Sequence, residues 1–254
     1  MLDRASDLLG CPVEAPDGAV GSLDDLLFDD ERWTIRGGVV DAGSWLSGHR
    51  VLVAPQALGA FNSAQRRLPV RLTRRQVEES PPVAADAPIS LQLQRRIYEL
   101  HGWTPYWAPD AAMPLQPAAD LTEALAPGGV GVAPDDVAAG GLDGDPHLRS
   151  LGEVIGYRIE AHDGELGHAR DFLIEDGSWA VRYLIVDTGN WLPGRKVLVG
   201  TDWITDVSWS AQQVTLDLTR KQIEDSPPYD PSAPLERANE ERLHRQVGRP
   251  GYWS

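Results

Sequence analysis

One passage occurs twice in this chain, and its recurrence constrains the fold more than any other feature. The first copy reads Val39-Val40-Asp41-Ala42-Gly43-Ser44-Trp45-Leu46-Ser47-Gly48-His49-Arg50-Val51-Leu52-Val53. The second reads Ile185-Val186-Asp187-Thr188-Gly189-Asn190-Trp191-Leu192-Pro193-Gly194-Arg195-Lys196-Val197-Leu198-Val199. Each is an apolar strand, an Asp-x-Gly-x-Trp-Leu-x-Gly connection and a second apolar strand. The copies lie 146 residues apart, and the same offset relates Gly10 to Gly156, Trp33 to Trp179, Ser80-Pro81-Pro82 to Ser226-Pro227-Pro228 and Tyr106-Trp107 to Tyr252-Trp253. An offset held over so many positions without a gap marks duplication of a whole folding unit. Two domains follow, residues 5–107 and 148–254. Ala108 to Ser150 carries Asp or Glu seven times, Arg once and no aromatic residue, and is rich in Ala, Gly and Pro. Such a stretch supplies no core, so 108–147 reads as an acidic linker, with one short helical turn at Asp120 to Leu125.

Within each repeat the pattern is of strands and tight turns. Asp17-Gly18 and Asp163-Gly164 are the dipeptides of a type I′ hairpin. Trp179 to Val186 reads as a strand buried on both faces. Its counterpart Trp33 to Val40 has Gly37-Gly38 in place of Tyr183-Leu184, which predicts a weakened or bent strand. Leu68 to Leu72 and Val214 to Leu218 alternate as half-buried strands, and Trp203 to Trp209 adds another. About six short strands joined by hairpins suggest a small barrel that removes its own edges. Thr73-Arg74-Arg75-Gln76 and Thr219-Arg220-Lys221-Gln222 have capping-box spacing, and Ser-Pro-Pro stops the helix each one opens. A second helix is expected from Pro88 to Gly102 and from Pro234 to Gly248. The fold class expected is mainly β: two tandem small barrels related by a pseudo-twofold, each followed by short helices.

The order Gly-x-x-Val/Ile-x-Ala-x-Asp-Gly-x-x-Gly, then Trp-x-Ile/Val-Arg, then Asp-x-Gly-x-Trp-Leu-x-Gly-x-x-Val-Leu-Val resembles the PRC-barrel domain. The tail Leu-Thr-Arg-x-Gln-Val/Ile-Glu-x-Ser-Pro-Pro and the closing Tyr-Trp resemble bacterial proteins with two such domains. That barrel is named from the cytoplasmic part of the photosynthetic reaction centre H subunit, and a related one occurs in a ribosome maturation factor. The resemblance covers nearly the whole chain outside the linker. It implies a binding and assembly module with no common catalytic set.

Composition narrows the partners. The formal charge is −15, which repels nucleic-acid phosphates and anionic lipid, so nucleic acid is an unfavourable partner. No apolar run reaches the ~20 residues of a membrane helix, and Met1-Leu2-Asp3-Arg4 shows no secretory signal. Cys11 is the only cysteine; with Pro12 beside it and no histidine near in sequence, it reads as a small buried thiol, and it fits a cytoplasmic location. No catalytic residue, metal set or cofactor motif is identified. His162 and His168 flank the Asp163-Gly164 turn without a third ligand.

The candidate site residues are interface or barrel-closing positions. Asp41 and Asp187 are placed to accept backbone N–H groups of their own turns. Trp45-Leu46 and Trp191-Leu192 either plug their barrels, meet across the two repeats, or dock a partner. Trp107 and Trp253 end aromatic tails expected to pack on the other barrel or on a second subunit. The expected function is non-enzymatic: a protein-interaction or scaffold module, docking a protein partner or, peripherally, a membrane or electron-transfer complex, or forming a homo-oligomer. Two alternatives are a small-molecule or metal-dependent activity in the cleft between the barrels, and a ribosome-associated assembly role.

Overall fold

The computed structural model describes residues 1–46, 48–83, 89–107, 147–189 and 194–253, without the side chains of Ser44 and Trp45. The first half contains β1 (Leu2–Arg4), α1 (Ala5–Leu8), β2 (Pro12–Ala15), β3 (Gly18–Asp29), β4 (Thr34–Asp41), β5 (Arg50–Val53), β6 (Leu68–Pro69), α2 (Arg74–Glu79) and α3 (Leu91–His101). The second contains β7 (Leu148–Ser150), α4 (Leu151–Val154), β8 (Arg158–Ala161), β9 (Gly164–Glu175), β10 (Val181–Asp187), β11 (Lys196–Gly200), β12 (Ile204–Ser208), β13 (Gln213–Leu216), α5 (Arg220–Asp225) and α6 (Arg237–Val247). The protein is mainly β, with two mixed sheets and a few short helices.

The sheets run β5-β4-β3-β2-β6 and β11-β10-β9-β8-β13-β12. In each, one pairing is parallel, β2 with β6 and β8 with β13; the rest are antiparallel. Among the described residues no ladder joins the end strands, so each sheet is an open path where the sequence suggested closure. The hairpin turn falls on Pro16-Asp17, and Gly18 opens β3 at a φ of 135°. The freed Asp17 carboxylate accepts the Arg74 N–H at 2.9 Å, and Asp163 accepts that of Arg220 at 2.7 Å. Each hairpin thereby supplies an acceptor to the first amide of a helix, which has no intrahelical partner.

The capping boxes of α2 and α5 are present. Gly102 and Gly248 adopt the left-handed C-cap conformation after α3 and α6. α3 starts later than its proline predicts: Ser90 is the N-cap and accepts the Leu93 N–H. Pro88 lies outside the described residues, as do the predicted turn at Asp120 to Leu125 and the connection residues Trp191 and Leu192. The strand expected over Leu68 to Leu72 shortens to Leu68–Pro69, with the Val70 N–H still reaching Glu14 O at 2.8 Å beyond it. The Gly37-Gly38 strand is neither short nor interrupted. A Cβ on Gly37 would lie 2.5 Å from Leu52 Cδ1, and one on Gly38 2.9 Å from Leu23 Cδ1, so the glycines admit neighbouring leucines, and a bulge at Arg36 lies directly beside them.

The halves are joined by an exchange that the repeat pattern did not reveal. β1, at the start of the first repeat, pairs with β9 of the second. β7, its counterpart, pairs with β3 of the first. The helices that follow go with them: Ala5, Leu8, Leu151 and Val154 are all fully buried. Asp25 and Asp171, themselves counterparts, receive these arms. Asp171 accepts the Ser6 N–H at 3.0 Å and the Ser6 hydroxyl at 2.5 Å, while Asp25 accepts the Gly152 N–H at 3.2 Å. Between the arms, Thr34 bridges its own counterpart Ala180, with Ile35 N to Trp179 O at 2.8 Å and Val181 N to Trp33 O at 2.7 Å. Trp33 stacks on Phe28 at 5.2 Å and lies 6.4 Å from Phe172 of the other half. One core cluster therefore runs through both repeats.

The arms are anchored unequally. Asp30 accepts from Arg149 at 2.6 Å and faces His147 at 3.1 Å. At the equivalent place Asp3 meets Asp176, and burial followed by that second carboxylate raises the Asp3 pKa. Asp3→Arg, which copies Arg149, should stabilise the protein by about 1 kcal/mol, or 2–4 °C in Tm, at neutral pH. A raised carboxyl pKa favours the protonated form, so the like-charge repulsion fades on acidification and the advantage of the variant shrinks with it. Thermal melts of both proteins between pH 7 and pH 4 check the sign.

Candidate functional site

Both Asp-x-Gly connections begin in the same way. Asp41 Oδ1 accepts the Gly43 N–H at 2.8 Å and Asp187 Oδ1 accepts the Gly189 N–H at 2.9 Å. These are the Asx turns expected of the two aspartates. Gly43–Leu46 then forms a 3₁₀ turn with Leu46 half-buried; the Trp45 side chain lies outside what is described. The connections are held from below by Gly21 and Gly167. A Cβ at either would lie 1.9 Å from Asp41 O or 2.0 Å from Asp187 O.

The aromatic tails fold back onto their own repeats. Trp107 packs on Tyr98 at 5.0 Å, and Trp253 on His244 at 4.9 Å and beneath the Arg237 guanidinium at 4.2 Å. The tails therefore do not join the halves, as the sequence suggested; β1 and β7 do. In each repeat a tail tyrosine completes a repeated set. Arg36 is 2.8 Å from Asp29 and lies over Tyr106; Arg182 is 2.5 Å from Glu175 and lies over Tyr252. Burial would raise the Asp29 and Glu175 carboxyls, but hydrogen bonds from Arg36 and the Arg32 N–H to Asp29, and from Ser178 and Arg182 to Glu175, outweigh it and hold both below the usual range.

Beneath Tyr252 the second repeat departs from the first. Gln94 becomes Glu240, Tyr98 becomes His244, Gly37 becomes Tyr183 and Leu91 becomes Arg237. Glu240 Oε1 accepts the Tyr183 hydroxyl at 3.0 Å and the Tyr252 hydroxyl at 2.9 Å, and Arg237 stands 3.2 Å from Oε2. His244 Nε2 is 3.0 Å from the Tyr183 hydroxyl, and its Nδ1 is 2.7 Å from Pro250 O. Burial first, and then Glu240, pushes the Tyr183 phenol far up, so it stays a donor. A carboxylate, an imidazole and a phenol in contact are the parts of an acid–base site. Here Tyr183, Glu240 and His244 are 0%, 3% and 3% exposed, so the cluster fills the space that the first repeat fills with Tyr98. Sequence reading missed it because its members are spread over sixty residues; comparing counterparts column by column is the signal that finds it.

Other candidates resolve simply. His162 binds Asp217 at 2.8 Å, while His168 sits in the ladder opposite Arg158, so the two do not face each other. Burial pushes the Cys11 thiol up to about 11. The cleft between the halves, about 540 Å³, is bordered by Asp30, His147 and Arg149 on one side and Asp202 and Asp206 on the other. No group of three metal-ligating side chains forms among the described residues, and none of their helices is long and apolar enough to cross a membrane. No protein-family model matches this chain, and no curated protein matches it in sequence.

Proposed function

We propose that this chain is a non-enzymatic assembly module: two PRC-barrel-like units, related by a pseudo-twofold, that present their Asp-x-Gly-x-Trp-Leu connections to a protein partner in the cytoplasm. The observation that carries this reading is the equivalence of the two Asx turns, 2.8 and 2.9 Å, each leading into the same Trp-Leu pair. A duplicated chain that keeps two such turns alike, while its buried interior diverges, is using them alike. The acid–base groups that do diverge are sealed and bonded to one another, which suits packing better than turnover. The net charge of −15 favours a partner with a basic surface over nucleic acid.

Affinity purification from the native host with mass spectrometry tests the reading. A specific partner is expected with the wild type and is expected to be lost with Trp45→Ala combined with Trp191→Ala at unchanged Tm. Retention of the same partners by that variant, or no specific partner for the wild type, overturns it.

A further inference from the structure

The halves differ in charge at a further place where their backbones agree. A bulge sets Asp24 out of the β3–β4 ladder, between Leu23 and Asp25, and another sets Arg170 out of the β9–β10 ladder, between Ala169 and Asp171. Bulges re-aim the extra side chain. In the first half the re-aimed Asp24 reaches Arg50, at the start of β5, at 3.2 Å. In the second half the same two positions hold Arg170 and Lys196. Two cations thus take the places of an ion pair. Neither has an ion-pair or side-chain hydrogen-bond partner among the described residues, and residues 190–193 of the adjoining connection, Asn-Trp-Leu-Pro, include no acid.

Arg170 and Lys196 line a two-lobed groove. One lobe, about 470 Å³, includes His168 and Asp187; the other, about 290 Å³, includes Arg4, Ser6 and Asp171 of the exchanged junction. Ile155 is common to both lobes. The carboxylates on its wall are already engaged: Asp187 by Gly189 N, Asp171 by Ser6 and by Phe172 N. Arg4 is likewise held by Asp7 at 2.8 Å. Arg170 and Lys196, with His168 beside them, are what remains to meet a ligand. In the first half these two positions hold an ion pair; in the second half both are cations, and an anion between them restores the missing negative charge.

We propose that this groove binds the phosphoryl group of a small soluble molecule. A dianion matches both charges: the Arg170 fork takes two oxygens side by side, and Lys196 adds a compact third donor. The lobes exceed inorganic phosphate in size, leaving room for the ligand body along Ile155. The site is independent of the partner-docking reading.

The 254-residue chain titrated with pyrophosphate and with inorganic phosphate, at ionic strength matched with sodium chloride, gives the test by calorimetry and thermal shift. Saturable binding with one site per chain is expected, with a rise in Tm that chloride does not reproduce. Lys196→Ala should weaken pyrophosphate binding at least tenfold. Arg170→Asp rebuilds the arrangement of the first half; it should melt higher without anion and show no pyrophosphate shift. Asp24→Arg, its mirror, should create a second site and raise the stoichiometry to two. Equal shifts in wild type and Arg170→Asp, or shifts matched by chloride, overturn the proposal. So does tighter, competitive binding of an oligo-glutamate peptide, which would assign the groove to acidic polypeptide.

Discussion

Deleting residues 1–8 is expected to abolish the cooperative unfolding transition of the whole chain, although the deletion lies wholly in the first repeat. The segment supplies β1 to the sheet of the second repeat and buries Ala5 and Leu8, 0% and 1% exposed. Losing Leu8 alone should cost about 2–5 kcal/mol, against a total stability on the order of 5–15 kcal/mol. Asp171, stripped of both Ser6 donors, would keep only the Phe172 N–H. Hydrogen exchange gives the sharper reading, since β9 amides should lose protection before those of β3. Leu8→Ala in the full chain provides the graded version, with a lowered urea midpoint. If the deletion variant melts at the wild-type temperature with β9 still protected, the exchange does not stabilise the protein.

Replacing Glu240 separates charge from shape in the second repeat. Glu240→Ala should cost about 2–4 kcal/mol, because Tyr252 loses its acceptor, Tyr183 keeps only His244, and a void opens beneath α6. Glu240→Gln should stay within about 1 kcal/mol. The first repeat already shows why: Gln94 there accepts the Tyr106 hydroxyl at 2.9 Å and is buried. Arg237 is half-exposed and can turn to water once its partner is neutral. Denaturant unfolding of the three proteins decides between these outcomes. Equal losses for Gln and Ala would mean that the carboxylate charge, not the acceptor oxygen, holds the cluster.

Much of the local architecture was legible. The offset of 146 located both repeats, Thr73 and Thr219 marked their helix starts, Gly102 and Gly248 the helix ends, and the Asx turns followed from Asp41 and Asp187. The strand exchange was not legible, because Leu2-Asp3-Arg4 is too short to show alternation and a repeat offset reports which residues correspond, not which half they join. The parallel β2–β6 and β8–β13 pairings were hidden for a related reason: both bring together strands far apart in sequence. The role of the glycine pair at 37–38 was not legible, because the leucines that occupy the space, Leu52 and Leu23, come from neighbouring strands. The candidate polar sites emerged only when counterparts were set against each other in place, where Arg170 stands for Asp24 and Glu240 for Gln94.

The bridge of Thr34 to Ala180 has a consequence for how such a chain came to exist. A contact between a position and its own equivalent is the mark of an isologous interface. One repeat by itself carries both an arm to give and a sheet edge to receive one, so two identical copies would have assembled without the other half of this polypeptide. Fusion fixes the ratio at one to one and holds the copies at high effective concentration. It also permits what identical subunits are denied: a change on one side only. An ion pair kept in one copy and turned into two cations in the other is a difference that a dimer encoded by a single-repeat gene has no means of acquiring.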